Sequence, residues 1–270
     1  MPDSSVAAAY LVVVTTVFGL LIGSFLNVVI ARVPEGLSVV RPGSRCPTCE
    51  TPIAPRDNLP VLGWVLLHGR ARCCRTPISL RYPLIEAGTG LAFAAVAVWA
   101  LRSAPSPWVL PAFCYLAAIS IALAVIDIDT FRLPIPIVRP AYLVSAVLLG
   151  AVSWELHDRA SVVRALIGAG VMVGLYGLLF LIRPDATGLG DVRLAGVLGL
   201  YLGWLGWGPL AVGVFMGNLV GGLFGLLTVL IRRNSLKSAI PYGPHLLVGA
   251  WIGVFAGGPI GSWYLRSMGL

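Results

Sequence analysis

Apolar residues are gathered into runs near the roughly 20 residues needed to span a bilayer. They can be drawn at about 6–30, 84–103, 109–127, 136–153, 161–182, 191–208, 209–231 and 244–263. The sixth and seventh have almost no loop between them. One long polar stretch, about Arg32 to Tyr82, separates the first run from the second. The pattern predicts an all-α polytopic membrane protein of about eight transmembrane helices. Its parts are a first transmembrane helix (1–32), a small insertion (33–82) and a membrane core of about seven helices (83–270).

Composition strengthens this expectation. Hydrophobic residues make up 58% of the chain and charged residues 11%, with a mean hydropathy of +0.91, against roughly 25% charged residues in an average soluble domain. No basic residue precedes the first apolar run, which continues for a full span, so it is expected to be a retained helix and not a cleaved signal. The net charge of +8 could point to nucleic acid, but the placement of the basic residues accounts for it. With the N-terminus outside, 15 of the 19 Lys and Arg residues fall in inner loops, Arg233 and Lys237 among them. Only Arg102, Arg159, Arg164 and Arg266 remain outside. That asymmetry follows the positive-inside rule, predicts a multi-pass protein of the plasma membrane, and makes the insertion cytosolic.

About fifty residues are too few for an ordinary independent core, and the insertion carries "RCPTCE" and "ARCCRTP". Paired cysteines on the reducing side of a membrane read as a structural metal site more readily than as disulfides, with zinc as the natural ion. Adjacent cysteines adopt knuckle geometry less easily than a CxxC pair. The expected ligands are therefore Cys46, Cys49 and Cys74, with Cys73 or His68 as the fourth. Cys114 lies in an apolar run and is read as packing.

Carboxylates at membrane helices are functional candidates by default. Asp127 and Asp129 stand at the inner end of the third run, just ahead of Pro134 and Pro136. Residues two apart on a helix face nearly opposite ways, so both cannot face one site unless the helix ends between them. Asp191, behind Gly188 and Gly190, is expected at the same membrane face as Asp127. Two carboxylates near a low-dielectric boundary share one proton and titrate as a unit, which is the equipment of aspartic proteolysis. The glycines would let backbone approach an extended peptide and turn sharply into the sixth run. The same residues also suit a cation or proton path, or a purely structural role, and charge and topology leave all three open. Glu86, opening the second run, is read as a helix-end charge or a partner of Arg81, with a direct part in the site as the alternative. Glu50 and Asp57 are exposed acids able to attract a basic peptide, and the glycines between Gly217 and Gly225 suggest close helix packing.

Taken together, Asp127 followed at a distance by Leu133-Pro134, and "GLGDVRL" from Gly188 to Leu194, resemble the type IV prepilin peptidases, membrane aspartic proteases of the Gly-x-Gly-Asp class. The resemblance extends to "FGLLIGSFLNVVIARVP" (18–34), "RDNLPVLGWVLLHGRARCCRTPISLRYPLIE" (56–86) and "IPYGPHLLVGA" (240–250), and so covers nearly the whole chain. It implies that Asp127 and Asp191 form the catalytic pair, with Gly188, Gly190 and Arg193 in the active-site loop and Asp129 and Glu86 as accessory candidates. Arg193 stands where the family commonly has Lys, and Ala71 where a third cysteine is expected. The implied substrates are prepilins, or the pseudopilins of type II secretion, cut at the cytosolic membrane face. Members with this insertion commonly also methylate the new N-terminal amine with S-adenosylmethionine. The runner-up is a proton- or cation-coupled transporter using the same carboxylates, although the matching inverted repeats such a protein would show are not seen. A noncatalytic binder of pilin-like helices is the third reading.

Overall fold

The computed structural model describes residues 4–184, 187–232 and 241–269; Arg233, Lys237 and Ile240 lie outside the described residues. Within these, the backbone is almost wholly helical, with two isolated β-bridges and no strand. Eight long helices are present: α1 (Ser4–Arg32), α3 (Arg81–Arg102), α4 (Leu110–Thr130), α5 (Ile135–Glu155), α6 (Arg159–Ile182), α7 (Leu189–Leu205), α8 (Trp207–Arg232) and α9 (Gly243–Ser267). A short α2 (Leu62–Leu66) lies in the insertion. Seven of the eight are long and apolar enough to cross a membrane. The exception is α7, with 17 residues.

The chain divides into two compact units, Met1–Ala122 and Leu123–Leu270, with the boundary inside α4. In the second unit α7 is enclosed by α5, α6, α8 and α9, and Val192 is followed by an almost unbroken buried run to Trp204. Small residues allow this enclosure. A Cβ on Gly203 would lie 2.5 Å from the carbonyl oxygen of Arg164, and one on Gly168 2.5 Å from that of Gly199, so α6 and α7 meet backbone to backbone. On the α8–α9 side, Gly249 faces Gly217 with no room for a side chain, and Gly221 lies against Tyr242 and His245, whereas Gly222 faces open space. A single residue, Gly206 at φ 143°, separates α7 from α8. That conformation is open only to glycine, and it reverses the chain with no loop.

In the first unit α1 packs on α3. A Cβ on Gly19 would meet the Phe93 ring at 2.8 Å, and one on Gly23 would meet the Cα of Glu86 at 2.7 Å. Helix α3 begins at Arg81, earlier than the apolar run suggested, so Glu86 is buried more than a turn inside the helix. Its Oε2 accepts the backbone N–H of Val61 at 2.6 Å. Cys114 is buried in α4. Asp57, expected to be an open acid, instead accepts three hydrogen bonds from Arg72 at 2.8–3.1 Å, and the guanidinium holds its carboxyl below the usual range. It is therefore engaged within the insertion.

Candidate active site and metal centre

Helix α4 runs through both Asp127 and Asp129 to Thr130, and Phe131 then takes φ 52° and leads into the Leu133-Pro134 turn. Because the helix does not end between them, the two carboxylates diverge: Asp127 is 4% exposed and Asp129 lies on the exposed side. The Oδ2 of Asp127 accepts the N–H of Gly243 at 3.0 Å, at the start of α9. A Cβ at this position would fall 2.8 Å from that same oxygen, so any larger residue would displace the carboxylate or the start of α9.

Asp191 occupies the first turn of α7 and is 8% exposed. Its Oδ2 reaches back to the N–H of Gly188 at 2.8 Å, the return half of a capping box; a glycine at the cap position leaves the other half unmade. A carboxylate in this place also meets the positive end of the helix dipole. A Cβ on Gly190 would lie 3.0 Å from the Cβ of Leu133, so the "GLGD" turn rests against the turn that follows α4. The two carboxylates are close enough for the charge of Asp127 to act on Asp191. Among the described residues each uses only Oδ2 in a hydrogen bond. Arg193 contributes its carbonyl to the Tyr142 hydroxyl at 2.7 Å, and its side chain is half-buried.

Three residues not singled out in the sequence brace the same end of the unit. The Tyr242 hydroxyl donates to Asn218 Oδ1 at 2.9 Å, and Asn218 Nδ2 donates to the Tyr176 hydroxyl at 3.0 Å and to the Val214 carbonyl at 2.8 Å. Tyr242 immediately precedes Gly243, so this chain of bonds ties the start of α9 to α6 and α8. Both tyrosines lie within electrostatic reach of Asp191.

In the insertion, the sulfurs of Cys46, Cys49, Cys73 and Cys74 all lie within 4.8 Å of one another. The close pairs are Cys49–Cys73 at 3.2 Å, Cys46–Cys74 at 3.6 Å and Cys73–Cys74 at 3.8 Å. A tetrahedral zinc with Zn–S bonds of about 2.3 Å places sulfurs roughly 3.8 Å apart, so the set fits the ion. His68 is exposed and is not part of the cluster. The N–H groups of Cys49 and Thr48 pull the Cys46 thiol down to about 6, whereas hydrogen bonding to Cys49 and burial push Cys73 up to about 12.

The arrangement of the four sulfurs comes from two loops built alike. Cys46 N–H bonds to Thr51 O at 3.0 Å and Glu50 N–H to Cys46 O at 2.9 Å; 25 residues on, Ala71 N–H bonds to Thr76 O and Arg75 N–H to Ala71 O, both at 2.9 Å. Bridges pair Arg45 with Pro52 and Arg70 with Pro77, and Glu50 and Arg75 share φ near 55–59°. In this register Cys49 matches Cys74, and Ala71 matches Cys46. The place left by Ala71 has no sulfur of its own, and Cys73 supplies the fourth from two residues further along the loop.

The family profile described as "Type IV leader peptidase family" matches residues 114–227, and "Bacterial Peptidase A24 N-terminal domain" matches residues 17–100. The chain is 36% identical to a prepilin leader peptidase/N-methyltransferase of Aeromonas hydrophila, over 93% of this chain and 92% of the relative. The chain belongs to the type IV leader peptidase family. Proteins of the same name from Pseudomonas aeruginosa (31% identical, 96% and 94% covered) and Neisseria gonorrhoeae (32%, 93% and 93%) are also similar. No solved structure matches. With seven apolar helices of spanning length, this leader peptidase relative is a multi-pass membrane protein. The transporter reading of its carboxylates finds no support in these matches.

Proposed function

We propose that the protein is an aspartic endopeptidase of the inner membrane that removes the basic leader from type IV prepilins or pseudopilins and then N-methylates the new terminus. The observation that carries the peptidase reading is the Asp127–Asp191 pair: two buried carboxylates from different helices, each anchored through Oδ2 by a glycine N–H. In this account the two Oδ1 atoms do the chemistry. One carboxylate, ionised, takes a proton from a water as its oxygen attacks the scissile carbonyl carbon; the other, protonated, donates to the carbonyl oxygen. Collapse of the tetrahedral intermediate breaks the C–N bond, and the departing amine takes a proton from the dyad. The glycine turns at 188–190 and at 243 keep side chains clear of an extended substrate. Gly188 caps α7 and Gly190 and Arg193 lie at its start, while Asp129, on the exposed side of α4, is assigned no proton-transfer role. In this reading the N-terminus lies outside and the Asp pair at the cytosolic face, which the distribution of basic residues supports. The test is mass spectrometry of a coexpressed prepilin. Leader loss together with addition of one methyl group is expected, and an untouched prepilin would refute the assignment.

In this reading Cys46, Cys49, Cys73 and Cys74 hold a structural zinc that fixes the insertion and takes no part in proteolysis. S-adenosylmethionine supplies the methyl group. Structural zinc is closed in by four protein ligands, so loss of one thiolate is expected to weaken metal retention strongly. Cys73→Ala should bring zinc well below one per chain, and adding Ala71→Cys to it should restore the metal, since position 71 has the backbone of Cys46. Elemental analysis of the purified chain reads this directly. Full zinc in Cys73→Ala would remove Cys73 from the ligand set.

A further inference from the structure

The unit Met1–Ala122 contains a cavity of about 350 Å³, within the roughly 300–1,000 Å³ of small-molecule sites. Phe25 and Val28 of α1 and Val40 of the insertion form an apolar wall, and Ser24, Arg32 and Asn58 bring polar groups to it. The α1 residues lie on one stripe of the helix, so the cavity runs along the last turns of α1 beneath the insertion.

Three further features converge on it. Arg32 Nη1 donates to the carbonyls of Ser38 at 3.0 Å and Pro42 at 2.8 Å. These neutral acceptors fix the guanidinium in place without cancelling its charge. At the other end Ser24 lies within electrostatic reach of the buried carboxylate of Glu86, which holds Val61 N–H at 2.6 Å. Val61, next to the cavity residue Pro60, sits at φ 61°, ψ −51°. A β-branched residue is an outlier in that region, and such strain persists where the surroundings impose it, commonly beside ligands. The Asp127–Asp191 chemistry uses none of these groups.

We infer that this cavity binds S-adenosylmethionine, its amino-acid carboxylate on Arg32, its nucleoside against the Phe25–Val28–Val40 wall, and its sulfonium toward the Ser24–Glu86 end. A fixed cation at one end, an apolar wall, and at the other end a serine backed by the Glu86 carboxylate complement a ligand carrying a carboxylate, a flat base and a sulfonium cation. The assignment rests on the N-methylation reading above, and in it Glu86 holds the strained Val61 beside the cavity residue Pro60.

The experiment is equilibrium dialysis of labelled S-adenosylmethionine against the purified full chain in detergent, for the unaltered protein, Arg32→Gln and Val28→Trp. Leader removal from a prepilin reports that each variant is folded. Both variants should bind the donor at least tenfold more weakly while still removing the leader. Unchanged binding in both places the donor elsewhere and overturns the inference. If the unaltered protein binds no donor, the N-methylation reading itself fails and this inference falls with it. Ultraviolet crosslinking of labelled donor to the unaltered protein gives a readout free of substitutions. Label within 21–44 or 58–61 is expected, and label confined to other segments would overturn the site.

Discussion

Asp191→Asn leaves a coexpressed prepilin with its leader attached while the variant accumulates in the membrane at the normal level, and Asp127→Asn does the same. Asparagine keeps the shape of the side chain and an oxygen to accept the N–H of Gly188 or Gly243, so neither anchoring bond need be lost. What is lost is the capacity to hold or give up a proton. General acid–base assistance is worth roughly 10²–10⁴-fold in rate, and a pair that works as a unit loses most of its power with either member. Each substitution alone should therefore slow leader removal by roughly 10²–10⁴-fold, as measured on purified protein with a purified prepilin. A variant that cleaves at the unaltered rate would take its residue out of the chemistry.

Gly243→Ala acts on the same carboxylate through geometry. The added Cβ would fall 2.8 Å from Asp127 Oδ2 and 3.4 Å from Leu133 Cδ2, so either the carboxylate swings aside or the start of α9 retreats and the 3.0 Å bond to the Gly243 N–H breaks. Displacements of about 1 Å in an active site can cost roughly 100-fold. The expected result is a fall in kcat on the order of 10–100-fold with KM little changed, because Gly243 orients a reacting group and does not hold the substrate. A normal yield and an unchanged thermal melt of the purified variant distinguish this from misfolding, which would lower the amount of active protein and with it the apparent kcat at the same KM. An unaffected kcat would mean that the N–H contact does not position Asp127.

The helices were legible because a bilayer-length apolar run is a strong signal, and the near contact of the sixth and seventh runs reappears as the single residue Gly206 between α7 and α8. Hydropathy could not show that α7 is enclosed by protein: a helix apolar all round reads the same against lipid and against other helices. The signal that separates the cases is the run of glycines at 196, 199 and 203, which give α7 the narrow faces on which Tyr142 and α6 pack. Asp127 and Asp191 stood out because ionisable groups are rare in such a chain. Gly243 and the Tyr176–Asn218–Tyr242 bonds did not, since Gly243 meets its partner 116 residues away and nothing local marks the pairing. Glu86 was expected at a helix end because α3 was begun too late; with its start at Arg81 the carboxylate is turned inward to Val61. The geometry of adjacent cysteines alone does not separate Cys73 from His68 as the fourth ligand. The 25-residue repeat behind the cysteine cluster is present in the sequence as "RCPTCETPI" and "RARCCRTPI", but it is far shorter than the helix-scale repeats of a transporter.

The central claim is that Asp127 and Asp191 act as one catalytic unit. The most direct measurement is a double-substitution cycle: residual leader removal by purified Asp127→Asn, Asp191→Asn and the protein carrying both, at equal concentration against one prepilin. A single shared proton-transfer machine predicts that the doubly substituted protein is no slower than the slower single variant. Rates that fall independently, so that the two losses multiply, would mean the carboxylates serve separate tasks and would contradict the account.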